Sequence, residues 1–182
     1  MTHAQVAVEQ EVVELPTIGA PFAGGFFAGE HIIDGECYAL VVAAKSEGEK
    51  LSVEYKKKSL GTADGTDSEE DGLANSEKIN DKNHPGAQFC RSLQIGGHKD
   101  WYLPSRDELM RIWLALGPNK KNTPEIFRSG GAEAFEGRWY WSSTEHASYS
   151  DYAWVVGFND GGQGTSSKYG DAGVRAVRRF KI

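Results

Sequence analysis

Cysteine is almost missing from this sequence: Cys37 and Cys90 are the only two in 182 residues. A scaffold held together by several disulfides is therefore excluded. Both cysteines sit in apolar contexts, Glu36-Cys37-Tyr38-Ala39-Leu40 and Gln88-Phe89-Cys90-Arg91-Ser92. Free cysteine is among the most buried residue types, so two core thiols are expected rather than a bridge, in keeping with assembly in a reducing cytoplasm. Long apolar runs are absent too. No stretch approaches the roughly 20 residues of a membrane span, and the first residues lack a basic region followed by an apolar one. The expectation is a product soluble when made, with no membrane insertion. Cations are in deficit, with 20 Lys and Arg against 26 Asp and Glu and a formal charge of −6. Non-specific nucleic-acid binding needs a cationic surface that releases counterions, so no nucleic-acid partner is expected. The short basic clusters Lys56-Lys57-Lys58 and Arg175, Arg178, Arg179 read as solvated strand or turn charge. His3, His31, His84, His98 and His146 show no metal-ligand spacing; neither a metal site nor a cofactor is expected.

Glycine is abundant, at 22 residues, in a composition that is 39% hydrophobic and 25% charged. This is a globular, turn-rich balance, and the length fits one ordinary domain plus a short appendage. The appendage is residues 1–20, where Val6, Val8, Val12, Val13 and Leu15 mix with Glu9, Glu11 and Glu14 before Pro16 and Gly19. A disordered or strand-like tail and an attachment arm that orders against another subunit are equally open. Residues 21–182 carry the fold. Asp34-Gly35 divides an aromatic and β-branched stretch from Phe22 to Ala44, a hairpin signal because both central turn residues need positive φ. A strand is expected over Leu51–Tyr55 and loop from Lys56 to Asn83. In that loop Asp64, Asp67, Glu69, Glu70 and Asp71 lack the spacing of a calcium site and read as solvated charge. Pro85 opens a short helix over residues 84–93, with Gly96-Gly97 beyond its end. Ser105-Arg106-Asp107-Glu108 is a capping box, followed by Leu109, Ile112, Trp113 and Leu116 on one face and closed by Gly117-Pro118. Strands then return: Trp139 and Trp141 alternate, as do Tyr152, Trp154, Val156 and Phe158, and Val174–Phe180 reads as a last strand. Strand pair, helices, strand group is an α+β order.

Several stretches could carry chemistry. Ser105 stands near Asp107 and Glu108, but no Gly-x-Ser-x-Gly elbow occurs and helix capping accounts for the serine. In Tyr140–Glu145 the expectation is Trp141 in the core and Ser142, Ser143 and Thr144 bonding loop backbone. Glu145-His146 reads as a solvated pair, since neighbours on a strand face opposite sides. Gly161-Gly162-Gln163-Gly164 lacks the Lys-Ser/Thr of a phosphate loop and reads as a turn. Ser148–Asp171 is rich in Tyr, Ser, Asn, Asp and Gly, a set suited to adaptable binding surfaces, with an ordinary hairpin as the competing reading. Val156 and Phe158 belong to the core there, and Trp154 could face either way. The ligand-binding candidates are Tyr149, Tyr152, Trp154, Asn159, Asp160, Gln163, Ser166, Lys168 and Tyr169. No catalytic residue is expected.

Three ordered motifs, Trp101-Tyr102-Leu103-Pro104-Ser105-Arg106-Asp107-Glu108-Leu109, Tyr140-Trp141-Ser142-Ser143-Thr144-Glu145 and Val174-Arg175-Ala176-Val177-Arg178-Arg179, together resemble the Legionella-collagen-like C-terminal domain family of bacterial and prophage proteins. Tyr38-Ala39-Leu40, Asp71-Gly72-Leu73-Ala74-Asn75, His84-Pro85 and Phe89-Cys90-Arg91 extend the resemblance over residues 26–182. It implies a C-type-lectin-like fold, α+β with antiparallel sheets, two short helices and long loops, similar in shape to phage tropism determinants. In such a fold the first and last strands pair, which would set Tyr38–Val42 beside Val174–Phe180. The resemblance further implies a phage or prophage tail-associated receptor-binding protein on the virion. It would be a tail-fibre tip adhesin that engages a bacterial surface glycan or protein through Ser148–Asp171, as a homotrimer, with residues 1–20 meeting tail or virion proteins. A virion structural or decoration protein and a bacterial surface ligand-binding protein are the alternatives. Sulfatase-modifying oxidases share the fold but need paired cysteines in the C-terminal part, and no cysteine follows Cys90; an enzyme is not expected.

Overall fold

The computed structural model describes residues 14–57 and 63–182. The chain opens with β1 (Pro21–Phe22), β2 (Gly25–Ile33) and β3 (Glu36–Val42). Between β2 and β3, Asp34 and Gly35 adopt φ of 50° and 79°, the left-handed pair that a two-residue hairpin turn requires. Then come α1 (Lys45–Gly48), β4 (Glu49–Glu54), α2 (Gly72–Lys78), α3 (Pro85–Arg91) and α4 (Arg106–Leu116). A 3-10 turn at Glu125–Phe127 leads to β5 (Trp139–Glu145), β6 (Tyr152–Gly157), β7 (Gln163–Ser167), β8 (Asp171–Arg175) and β9 (Val177–Lys181). The strands form two sheets, in the orders β1-β2-β3-β9 and β4-β8-β5-β6-β7. β3 and β9 pair antiparallel from Tyr38↔Lys181 to Val42↔Val177, so the first and last parts of the domain close on each other. Among the described residues the one parallel contact joins β5 to β8 at Tyr140↔Gly173. This is an α+β fold with short helices.

Two features depart from the sequence expectation. The segment from Lys56 to Asn83 contains α2, whose N-cap Asp71 accepts a hydrogen bond from the Ala74 N–H at 2.9 Å. Its inward face is polar: Asn75 Nδ2 donates to Ser68 O and Ser76 Oγ donates to Leu103 O, so no apolar period marks it. The expected last strand is in fact two. Ala176 interrupts it, bonding through its N–H to Gly48 O and through its carbonyl to the Ala43 N–H. β8 therefore lies in the second sheet and β9 in the first. Of the two free thiols Cys90 is buried, whereas Cys37 is half-exposed.

Because successive strand residues point to opposite sides, β5 sends Trp141 into one core with Tyr55, Trp101 and Val174, and Tyr140 into a second with Tyr102, Leu109, Phe135 and Phe158. The apolar face of α4, Leu109, Ile112 and Leu116, belongs to the second core, and the capping box at Ser105 ties its start to Gly72 and Tyr102. Ser105 Oγ accepts from the Glu108 N–H at 3.2 Å, and Glu108 Oε2 accepts from the Ser105 N–H at 2.8 Å and the Gly72 N–H at 3.2 Å. The Tyr102 hydroxyl donates to Glu108 Oε1 at 2.6 Å. Burial raises the Glu108 carboxyl to about 7 in spite of these donors. Ser105 is thus a helix cap with its oxygen already engaged, as its sequence context indicates.

Candidate functional site

β6 and β7 form an antiparallel tongue whose register is Tyr152↔Ser167, Ala153↔Ser166, Trp154↔Thr165, Val155↔Gly164 and Val156↔Gln163. Directly opposed residues share a face, so Tyr152, Trp154 and Gln163 lie on one side of the tongue and Ser166 on the other. The candidate residues are thereby divided. Tyr149 and Tyr152 are 64% and 42% exposed, and Trp154 is half-buried. They belong to a continuous row of rings: Tyr152 to Tyr149 at 6.4 Å between centroids, Tyr149 to His146 at 4.8 Å, and His146 stacked on Trp154 at 6.0 Å with planes 13° apart. The Arg106 guanidinium covers Trp154 at 4.9 Å and is itself gripped by both Glu69 oxygens, at 2.8 and 2.5 Å. His146 Nδ1 accepts from the N–H groups of Ser148 and Tyr149. The row is therefore fixed by backbone and charge before any partner arrives. Arg106 and His146 were missing from the sequence candidates; nothing in their local spacing connects them to Trp154.

The remaining candidates sit elsewhere. Asn159 and Asp160 form the exposed tip, where Asp160 Oδ1 accepts from the Gly162 N–H at 3.0 Å and Asn159 O accepts from Asn119 Nδ2 at 3.1 Å. The Tyr169 hydroxyl donates to Asp151 Oδ1 at 2.9 Å, and this bond raises its phenol. Gly161-Gly162 is a turn, as expected, with Gly161 at φ 80°.

Lys168 requires a correction: it is wholly buried, not a surface contact. Its ammonium lies 2.7 Å from Asp64 Oδ2 and 2.7 Å from Glu145 Oε2, and 5.3 Å from the centre of the Tyr55 ring. Lys56 Nζ approaches Asp64 Oδ1 at 2.6 Å and His84 Nε2 approaches it at 3.2 Å. Glu145 also accepts from the N–H groups of Asp64 and Thr66, each at 3.0 Å. Burial alone would raise the Asp64 carboxyl, but hydrogen bonds from His84, Lys168 and Lys56 outweigh it and hold the group well below the usual range. Glu145 behaves likewise, lowered because its backbone and Lys168 donors overcome desolvation.

The expectation of solvated charge fails for other residues for the same reason. Glu145 and His146 do face opposite sides, but Glu145 points inward. Lys56, Arg175 and Arg178 are buried. Arg175 pairs with Glu133, Arg178 is bidentate with Asp100 at 2.8 and 2.9 Å, and Arg179 pairs with Asp71 at 2.6 Å. Asp67, Glu70 and Lys57 are exposed as expected, and Lys58 lies outside the described residues. Buried cations matched to carboxylates pin loops; they offer no free ligand set. Among the described residues no group of three His, Cys, Asp or Glu is placed to hold a metal ion. Burial also raises the Cys90 thiol, which makes it an unreactive core residue.

The hydroxyls of the Tyr140–Glu145 motif act as scaffold. Ser142 Oγ donates to Trp154 O at 3.0 Å and Thr144 Oγ1 to Ser68 O at 2.8 Å. One further aromatic, Trp139, is read in the sequence only as part of a strand alternating with Trp141 and not as a site candidate; it opens β5 and is 49% exposed.

Comparison with curated proteins gives no match. The family model described as the Lcl C-terminal domain matches residues 51–178, which takes in the capped helix α4, the aromatic row, the buried charge cluster and the tongue. The N-terminal hairpin precedes the matched span but pairs with β9 inside the same fold. With well over half of its length matched, the chain belongs to the Lcl C-terminal domain family.

Proposed function

We propose that this protein is a non-enzymatic, phage or prophage tail-associated receptor-binding protein that engages a bacterial surface glycan or protein. The observation that carries this reading is the row Tyr152, Tyr149, His146, Trp154 and Arg106: aromatic surface held in place, open to solvent and bordered by adaptable polar groups. Preformed tyrosines supply contact area at small entropic cost, and Ser, Asn and Gly neighbours adapt their hydrogen bonds. The family membership is consistent with a binding module. Assembly as a homotrimer at a fibre tip would multiply a modest single-site affinity through avidity. Residues 1–20 are the proposed attachment to tail or virion proteins; of these, residues 1–13 lie outside the described residues.

The test is a triple variant, Tyr149→Ala, Tyr152→Ala and Tyr169→Ala, scored for adsorption to host cells. Exposed aromatic anchors cost on the order of 1–2 kcal/mol each when truncated, so adsorption should fall by at least about ten-fold while the melting temperature stays within a few degrees of wild type. Unchanged adsorption by a folded variant refutes the assignment. Variant protein that no longer incorporates into particles would favour a virion decoration role instead.

A further inference from the structure

The two ends of the aromatic row differ. At the inner end the Arg106 guanidinium lies over the Trp154 ring at 4.9 Å, with Nη1 and Nη2 on Glu69 at 2.8 and 2.5 Å and Nε on Asp107 Oδ1 at 3.1 Å. The face of an aromatic ring is electron-rich, and a planar guanidinium both stacks on it and donates to carboxylates. The outer end has the same ingredients without the cation. Tyr149 and Tyr152 are 64% and 42% exposed. Among the described residues no cation lies over either ring and neither hydroxyl has a hydrogen-bond partner. Asp151, between them in the chain, is exposed, and its carboxylate meets the Tyr169 hydroxyl through Oδ1 but pairs with no cation among the described residues. From Trp139 to Ser167 the sequence contains no Lys or Arg that could supply one.

The charges along the row do not cancel. Arg106 faces two carboxylates, Glu69 and Asp107, and Asp151 adds a third, so one positive charge stands against three negative ones. Asp67 and Lys78, 3.9 Å apart, offset each other. At His146 the row adjoins an open pocket of about 440 Å³, lined by Gly65, Asp67, Ser148 and Ser150 among others. It can receive chain on either side of a residue bound at the rings. A surface with excess negative charge speeds encounter with a basic partner and repels an anionic one. A guanidinium therefore matches the outer end in both shape and sign: ring faces to stack on, a carboxylate to pair with, and phenol oxygens that accept its N–H groups.

We propose that Tyr149, Tyr152 and Asp151 hold an arginine side chain of a protein receptor, in the way that Trp154, Glu69 and Asp107 hold Arg106. This rests on the receptor-binding reading and narrows its partner from a glycan or protein to a basic protein segment. The experiment is a heteronuclear NMR titration of the full chain with acetyl-Gly-Arg-Gly-Arg-Gly-amide and with the same peptide carrying citrulline, which keeps the shape of arginine and lacks its charge. At millimolar concentration the arginine peptide should bind at least about three-fold more tightly than the citrulline one, with shifts centred on Tyr149 and Tyr152. The preference should shrink as salt is raised to about 1 M, where the Debye length is about 3 Å. It should disappear in Tyr149→Ala with Tyr152→Ala, weaken in Asp151→Asn and survive Tyr149→Phe. Asp171→Asn, which removes an exposed carboxylate on β8, should leave it unchanged. Equal binding of the two peptides, no binding of either, or a preference that outlives the loss of both tyrosines in a folded variant overturns the proposal. Host-cell adsorption is measured in parallel. Adsorption that needs the two tyrosines without preference for arginine removes this inference and keeps the receptor-binding reading; arginine preference in a protein that does not adsorb does the reverse.

Discussion

Replacing Lys168 with methionine tests whether the buried charges hold the tongue in place. Lys168 carries no exposed surface, and its ammonium is shared between Asp64 and Glu145 at 2.7 Å each. Removing one partner of a buried ion pair costs about 3–5 kcal/mol, because the other charge stays buried without compensation. Here the loss falls toward the lower end. Asp64 keeps Lys56 and His84, and Glu145 keeps two backbone donors. Methionine also fills much of the volume, which avoids a cavity contribution. About 3 kcal/mol is expected, equivalent to roughly 6–12 °C in melting temperature at 2–4 °C per kcal/mol for a chain of this size. Urea denaturation followed by tryptophan fluorescence measures it, with Tyr149→Ala as an exposed control expected within about 0.5 kcal/mol of wild type. A Lys168→Met protein less than about 1 kcal/mol weaker than wild type would refute the idea that this cluster is a structural clamp.

Three more outcomes follow from the same geometry. Gly72→Ala should destabilise by about 1–3 kcal/mol or more, since its Cβ would stand 2.4 Å from both Glu108 Oε2 and the Ser105 nitrogen; a melting temperature equal to wild type would contradict this packing. Glu108 is raised from 4.5 to about 7 in the folded protein, so the fold binds the extra proton. Its contribution is complete below pH 4.5 and is lost as pH rises through 7, and Glu108→Gln should flatten stability between those values, read by urea titrations at several pH values. Asp64, Glu145, Asp71 and Asp100 are lowered instead, so their contribution is present above the ordinary carboxylate range and lost as pH falls below it. Acid unfolding should therefore begin at higher pH in Arg179→Met, which removes the partner of Asp71, and an unchanged midpoint would count against that pair.

Local signals in the sequence were reliable where local physics decides the outcome. Asp34-Gly35 makes a hairpin because two successive positive φ values suit few other residues. Ser105 and Glu108 cap α4 because the reciprocal bonds span only three residues. Tyr149 and Tyr152 are exposed as the composition of their segment suggests. Charge burial was not legible, since it depends on partners far away in the chain. Lys168 and Asp64 meet across 104 residues, and Arg179 and Asp71 across 108. Read alone, Lys168 in a run of Ser, Tyr and Gly looks like surface. The polar inner face of α2 and the break at Ala176 were hidden for a related reason: each is fixed by hydrogen bonds from other segments, which leave no periodic trace. Gly157, Gly162 and Gly164 under Trp139 were visible, but only the strand register shows that one ring sits above them all.

The clamp at Lys168 grips the tongue by its root. The Lys168 N–H bonds Asp151 O just before β6, and Lys168 O accepts the Lys56 N–H, while the tip at residues 158–162 is remote in sequence from either tie. A tool bit held in a chuck can be exchanged without rebuilding the drill. By the same logic, exchanging the exposed side chains of Asn159 and Asp160 leaves the grip untouched, whereas Gly161, at φ 80° and with the Trp113 ring 2.5 Å from where a Cβ would stand, is the fixed collar of the bit.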